Sequence, residues 1–256
     1  MADKTVLPKM KIAFFEFTSC EGCQLEFLNQ GPELLDLLQH VEIVRFREAI
    51  SNLGEDYEIA VIEGAITTPK QEEQIKEIRS KAKLLVAIGA CATSGGINTL
   101  KDLHPLQEVR EYVYGKDYEY FPTFKVKPLS EVVKVDFNIR GCPPRTSDIV
   151  AIFKELLLGK IPFTPDYPVC VECKMKENPC TFDLGQVCLG PITRAGCGAW
   201  CPSFHDACEG CRGLITNPAL NGHRETLRRY NISPKEIIQR YQRYGMYTEE
   251  EGKDNG

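Results

Sequence analysis

The sequence predicts an α/β protein: a parallel-sheet domain followed by a core-poor, cysteine-organised domain with C-terminal helices. Three observations carry that reading. Apolar runs of strand length alternate with helix-length stretches through residues 1–159, the pattern of parallel strands joined by crossover helices. Beyond Gly159 the periodicity stops, and residues 160–222 hold eight of the twelve cysteines among many glycines and prolines. Helical signals return only near the C-terminus. The expected division is therefore a sheet domain over 1–159 and a second domain over 160–256.

Residues 11–17 (KIAFFEF) form a short apolar run ending at a turn, which suits a buried strand. Residues 24–39 set Leu25, Leu28, Leu34, Leu35 and Leu38 at partly helical spacing, with Pro32 breaking or starting a helix. Residues 41–46 alternate apolar and polar, as a strand nearer an edge does, whereas 57–66 read as a central strand. Thr68 can cap a helix, Pro69 suits its first position and Gln71 completes a capping box, so a helix runs to about Lys81. Strands follow at 83–89 and 135–140, and a helix at 147–158. Between them, residues 101–134 are irregular and rich in tyrosine (Tyr112, Tyr114, Tyr118, Tyr120), with a helix and a hairpin as the expectation. Near the end, Ser233, Pro234 and Glu236 repeat the capping box, and Ile237, Ile238, Tyr241 and Tyr244 share a helical stripe. Residues after Thr248 are polar and expected to fray.

Composition narrows the function. A net charge of −5 without a basic block argues against a nucleic-acid surface. The longest apolar runs, 59–62 and 84–90, are far shorter than the roughly 20 residues that cross a bilayer. The first residues (MADKTVLPK) show neither an apolar signal core nor a twin-arginine pair, so a cytoplasmic location is the expectation. Reducing cytosol keeps thiols unpaired, which sets metal ahead of a disulfide-stapled loop as the account of twelve cysteines.

Those cysteines divide into three sets of four. Cys20 and Cys23 follow the first strand, Cys91 follows the 83–89 strand in Ile88-Gly89-Ala90-Cys91, and Cys142 follows the last strand in Gly141-Cys142-Pro143-Pro144. All four fall just past carboxyl ends of strands, the edge where open α/β sheets bind ligands. One close pair joined by two singletons favours an iron–sulfur cluster over the paired knuckles of structural zinc. The remaining eight are Cys170, Cys173, Cys180 and Cys188, then Cys197, Cys201, Cys208 and Cys211. Chain order is the simplest division, although ligands can cross between neighbouring clusters. Structural zinc in one of these two sets stays open.

At these motifs the sequence resembles the small subunit of nickel–iron hydrogenases over nearly its whole length. Thr18-Ser19-Cys20-Glu21-Gly22-Cys23, Gly89-Ala90-Cys91 and Gly141-Cys142-Pro143-Pro144 resemble the proximal-cluster motifs. Cys188-Leu189-Gly190-Pro191 and Cys208-Glu209-Gly210-Cys211 resemble elements of the second domain. The resemblance implies a flavodoxin-like first domain with a proximal cluster on Cys20, Cys23, Cys91 and Cys142. It implies a distal cluster on Cys170, Cys173, Cys180 and Cys188, and a medial one on Cys197, Cys201, Cys208 and Cys211. Membrane-associated uptake enzymes have histidine where this chain has Cys170, and lack a fourth medial ligand such as Cys201. Both departures are similar to the cytoplasmic multisubunit hydrogenases, and residues 190–198 most resemble the delta subunits of the archaeal NADP-linked enzymes called sulfhydrogenases.

The function so implied is electron relay through three [4Fe-4S] clusters, between a large subunit that holds the nickel–iron centre and an acceptor subunit with further clusters and flavin. This chain would contribute no catalytic residue. Sulfur or polysulfide reduction would accompany NADP linkage. A methanogen-type small subunit, linked to a deazaflavin or a disulfide-reducing partner, is a second reading, and an iron–sulfur module without a hydrogenase partner a third. His40, His104, His205 and His223 lack metal-like spacing, with His205 read as a surface residue ahead of a support for the medial group. Glu21 is either a proton relay or a solvated carboxylate. Residues 89–96 lack the dinucleotide-binding glycine order. Trp200 and the tyrosines read as packing.

Overall fold

A computed structural model describes residues 9–246, so the expected fraying beyond Thr248 lies outside the described residues. The first half alternates strand and helix. In chain order its elements are β1 (Met10–Glu16), α1 (Gly22–Leu28), α2 (Pro32–Leu38), β2 (Val41–Arg45), β3 (Ile59–Glu63), α3 (Pro69–Lys81), β4 (Leu84–Ile88), α4 (Gly89–Ser94), α5 (Leu106–Tyr114), β5 (Phe137–Ile139) and α6 (Thr146–Leu157). The strands form one parallel sheet in the order β2-β1-β3-β4-β5. β2 is an edge strand and β3 is central, with all five of its residues buried.

Alternation along the strands sorts side chains to two faces. Ile12, Phe14, Ile59, Val61, Val86 and Ile88 pack in one apolar cluster with Phe27, Leu37 and Phe153 of α1, α2 and α6. Ala13, Ala60, Ile62, Leu85 and Ala87 face the other way, toward Ile75 and Ile78 of α3. The smaller residues on that face let α3 lie close. α3 begins as its sequence signals: the Thr68 side chain accepts from the Gln71 N–H and the Gln71 side chain closes the box. Residues 101–134 contain α5 and short 3-10 turns, not the expected hairpin; their antiparallel pairing is one bridge from Lys127 to Ile66.

The second half holds α7 (Val169–Met175), α8 (Trp200–Ser203), α9 (Leu220–Arg229) and α10 (Pro234–Gln242), and no strand among its described residues. Its core is better formed than the sequence pattern suggests. Val169, Phe182, Val187, Leu189 and Ile192 bury themselves with Leu227, Ile232, Ile237, Tyr241 and Met246. Of its fourteen buried residues, Leu227, Ile232, Ile237, Tyr241 and Met246 come from α9, α10 and their flanks, and most of the rest are spaced irregularly along loops. The description core-poor is thus corrected in degree: the cysteine segment borrows its apolar partners from α9 and α10.

Candidate iron–sulfur sites

The carboxyl edge of the sheet collects the first four thiols. Cys23 is in the first turn of α1, Cys91 is in α4 directly after β4, and Cys142 follows β5. They share one electrostatic neighbourhood. Burial, then Glu63, then Cys142 and Cys91 push the Cys23 thiol well above its usual range. Burial and then Cys142, Cys20 and Glu63 push Cys91 up to about 12. Cys23, Cys91 and Cys142 held this way resist ionising together; bound iron would offset that resistance by stabilising the thiolates. The Glu63 carboxylate, 1% exposed at the end of β3, accepts from the Cys23 and Gln24 N–H groups at 3.2 and 3.1 Å. It fixes the loop that carries the Cys pair. Gly89 has φ of +87°, and a Cβ there would collide with Cys23 Sγ.

The second group starts on α7, where Cys170 and Cys173 are one turn apart and share a face. Burial, then Cys188, Cys173 and Cys180 push Cys170 up to about 12, so these four thiols also lie together. A Cβ on Gly190 would sit 3.3 Å from Cys188 Sγ and 3.4 Å from Cys170 Sγ. A side chain at that position would crowd the space between the thiols.

The third group faces a cavity of about 580 Å³. Its lining includes Cys197, Cys201, Cys208 and Cys211, and also Cys142. Burial, then Cys197, Cys201 and Cys142 push Cys211 up to about 12, against the opposing effect of the nearby Cys142 backbone. At the other end, the Cys208 N–H donates to Cys188 Sγ at 3.3 Å. The group containing Cys211 and Cys208 therefore stands between the other two. Among the described residues no three or more His, Cys, Asp or Glu side chains converge tightly enough for a single metal ion.

Several supporting residues were not visible in the sequence. His223, 3% exposed, joins Cys188 O through Nε2 at 2.8 Å and pairs with the Tyr241 hydroxyl through Nδ1. Burial holds its pKa below the usual value. Glu172, between Cys170 and Cys173, accepts from the Gly196 and Ala199 N–H groups at 2.8 and 3.1 Å, tying the second group to the third. A signal for Glu63 did exist: a charged residue closing an otherwise apolar strand. His205 is exposed, as the sequence suggests, and so are His40 and His104. Glu21 is half-buried, and burial followed by Glu48 raises its pKa. Trp200 packs beside Phe204 and under the Arg145 guanidinium, as read from the sequence, while 53% exposed. Tyr112 and Tyr120 are also exposed, at 93% and 81%.

A parallel sheet with thiols on its carboxyl edge, continued by a cysteine-rich half, defines an iron–sulfur subunit of a redox complex. The family described as NADH ubiquinone oxidoreductase, 20 Kd subunit, matches residues 20–156. The chain belongs to that family, and within it to the small subunits of hydrogenases, which are oxidoreductase complexes. It is 36% identical to Sulfhydrogenase 2 subunit delta of Pyrococcus furiosus, over 90% of this chain and 97% of that one. It is 35% identical to a vhu subunit of the F420-non-reducing hydrogenase of Methanocaldococcus jannaschii, over 80% of this chain and 82% of the relative. Among solved structures, an NAD+-reducing [NiFe]-hydrogenase in the H2-reduced state superposes with a TM-score of 0.55 at 29% identity, covering 62% of this chain and 96% of that one. No helix among the described residues is long and apolar enough to cross a membrane.

Proposed function

We propose that this hydrogenase small subunit carries three [4Fe-4S] clusters. Cys20, Cys23, Cys91 and Cys142 hold the proximal cluster, Cys197, Cys201, Cys208 and Cys211 the medial one, and Cys170, Cys173, Cys180 and Cys188 the distal one. The observation that carries this reading is the linear order of the thiol groups, linked by Cys142 to Cys211 and by Cys208 to Cys188. Four thiols per group suit a [4Fe-4S] cluster, which takes four cysteine ligands. Boundaries of 1–159 and 160–256 fit the separate apolar clusters of the two halves.

When bound, the clusters supply reversible one-electron transfer. The nickel–iron centre belongs to a large-subunit partner, where hydrogen yields two protons and two electrons. This chain's residues bind the clusters, bury them and fix their spacing. Similarity to the sulfhydrogenase delta subunit supports an NADP-linked complex in the cytoplasm, with flavin and further clusters in an acceptor subunit, and with sulfur or polysulfide as a second acceptor. Similarity to the vhu subunit supports the second reading, a methanogen-type complex with a deazaflavin or disulfide-reducing partner. The test is iron and sulfide content of the anaerobically purified chain, with low-temperature EPR after reduction. About twelve irons per chain is the expected result. Zinc at any group, or a three-iron signal in fully assembled protein, overturns the corresponding assignment. Co-purification of a nickel-containing partner tests the hydrogenase complex itself.

A further inference from the structure

Two arginines tie the sheet half to the cysteine-rich half, and they cross in opposite directions. Arg145 lies three residues after Cys142 and donates from Nη1 to the Cys197 carbonyl at 2.9 Å. Arg212 directly follows Cys211 and donates from Nη1 to the Arg140 carbonyl at 2.8 Å, two residues before Cys142. Each loop thus lends a guanidinium to the backbone of the other. Arg212 is 6% exposed, and its fork reaches two further segments: Nε donates to the Ala195 carbonyl at 2.9 Å, and Nη1 faces Asp148 Oδ2 of α6 at 3.2 Å. Both arginines line the cavity shared by Cys142 and Cys211.

These bonds end on main-chain carbonyls next to the cysteines, so they constrain where the loops sit. The separation they constrain is the junction at which Cys142 and Cys211 line one cavity. Gly196 adds a second constraint, because a Cβ there would strike the Arg212 guanidinium. The arginine can lie flat against this turn only while residue 196 is glycine. A planar fork bonded to three segments holds geometry in a way that one ammonium cannot.

We propose that Arg145 and Arg212 are positioning residues that set the separation of the proximal and medial groups, and with it the coupling between the clusters they hold. This rests on the ligand assignment made above. Coupling between two redox centres is steeply sensitive to separation, so loosening either arginine weakens it while every thiol remains in place.

The test uses the full chain in complex with its large subunit, reduced, comparing the native protein with Arg145→Met, Arg145→Lys and Arg212→Lys. Iron per chain, the potential of each cluster and the magnetic interaction between proximal and medial clusters are read together by redox-poised EPR. The expected result is full iron in all variants, with the proximal–medial splitting lost in Arg145→Met and Arg212→Lys. Passage of electrons to the medial cluster in those two variants falls by about 10- to 100-fold, the range for residues that orient a metal ligand. Arg145→Lys retains the splitting, because an ammonium can make the single bond to Cys197. Unchanged splitting in both Arg145→Met and Arg212→Lys overturns the proposal. So does a shift of potential with splitting intact, which would make the arginines charges and not positioners. Loss of medial iron in the variants also overturns it, as a sign of structural support only. Native protein lacking iron at the proximal or medial group instead refutes the ligand assignment itself.

Discussion

The two halves of this chain hold their thiols by different means. In the sheet half, Cys23, Cys91 and Cys142 hang from the ends of β1, β4 and β5, which are already braced by five parallel strands and apolar packing on both faces. In the second half the thiols sit on α7, α8 and loops, through turns where Glu177, Ala199 and His205 take left-handed backbone conformations. Such conformations are uncommon for residues other than glycine and persist where the surroundings hold them. One half presents ligands from the ends of a finished sheet; in the other, ligands sit in loops that pack on the apolar core, with Cys188 and Cys208 part of that core. Binding iron should therefore add little to the fold of the first half and much to the second.

Removing the iron is the most forceful way to break that comparison. Because metal binding is linked to folding where a site is not preformed, chelation under reducing conditions is expected to release most amide protection across residues 169–215. Protection in β1, β3 and β4 should persist. Hydrogen exchange with mass spectrometry reads both halves in one sample. Equal loss in the two halves would show that the sheet, too, depends on its cluster.

Phe27→Ala tests the converse. Phe27 is 1% exposed and packs against Phe14, Phe46 and Phe153, with ring centres 4.7, 6.0 and 5.5 Å away. Truncation should cost about 3–5 kcal/mol, read as a lowered denaturant midpoint of the sheet transition. A separate transition of the second half should move less.

Much of the sheet half was legible because its signals are local. Thr68 and Gln71 sit three residues apart, and the runs ending at Glu16, Glu63 and Ile88 are continuous, so a short window contains the information. The cysteines were legible for a related reason: their side-chain chemistry is rare, and those of the first half fall directly after strands. His223, Arg145 and Arg212 were not, since what they do depends on the carbonyls of Cys188, Cys197 and Arg140. A carbonyl has no letter in a sequence, and these partners lie 35, 52 and 72 residues away. Trp200 packs on Phe204 and Arg145 as its type suggests, yet leaves more than half its surface open, which no local signal in the sequence indicates.

His223→Ala sharpens the comparison within the second half. It leaves the buried Cys188 carbonyl without the His223 partner, at a cost of about 1–3 kcal/mol. The expected readout is a lower melting temperature of the holo chain with the Cys170 group still containing iron. Loss of that iron alone would assign His223 to the cluster and not to the fold.

The smallest expected effect is in the sheet half, at Asp136, and it gives a pH signature independent of iron. Its carboxylate accepts from Arg79 Nη1 at 2.5 Å and from the Leu85 N–H at 2.8 Å. Burial opposes the charge, but the Leu85 amide and the Arg79 guanidinium outweigh it and hold the carboxyl below the usual aspartate range. A carboxyl with a lowered folded-state pKa binds its proton more readily when unfolded. The stabilisation is therefore complete above the unfolded value of about 3.9, and it fades as pH falls through the folded-state pKa. Partial exposure of both partners limits the effect to about 1 kcal/mol. Asp136→Asn should lower stability at pH 7 by that amount, and its penalty should shrink at pH values below about 4. A penalty that stays constant with pH would show that the amide geometry at Leu85, and not the carboxylate charge, anchors the link between β4 and β5.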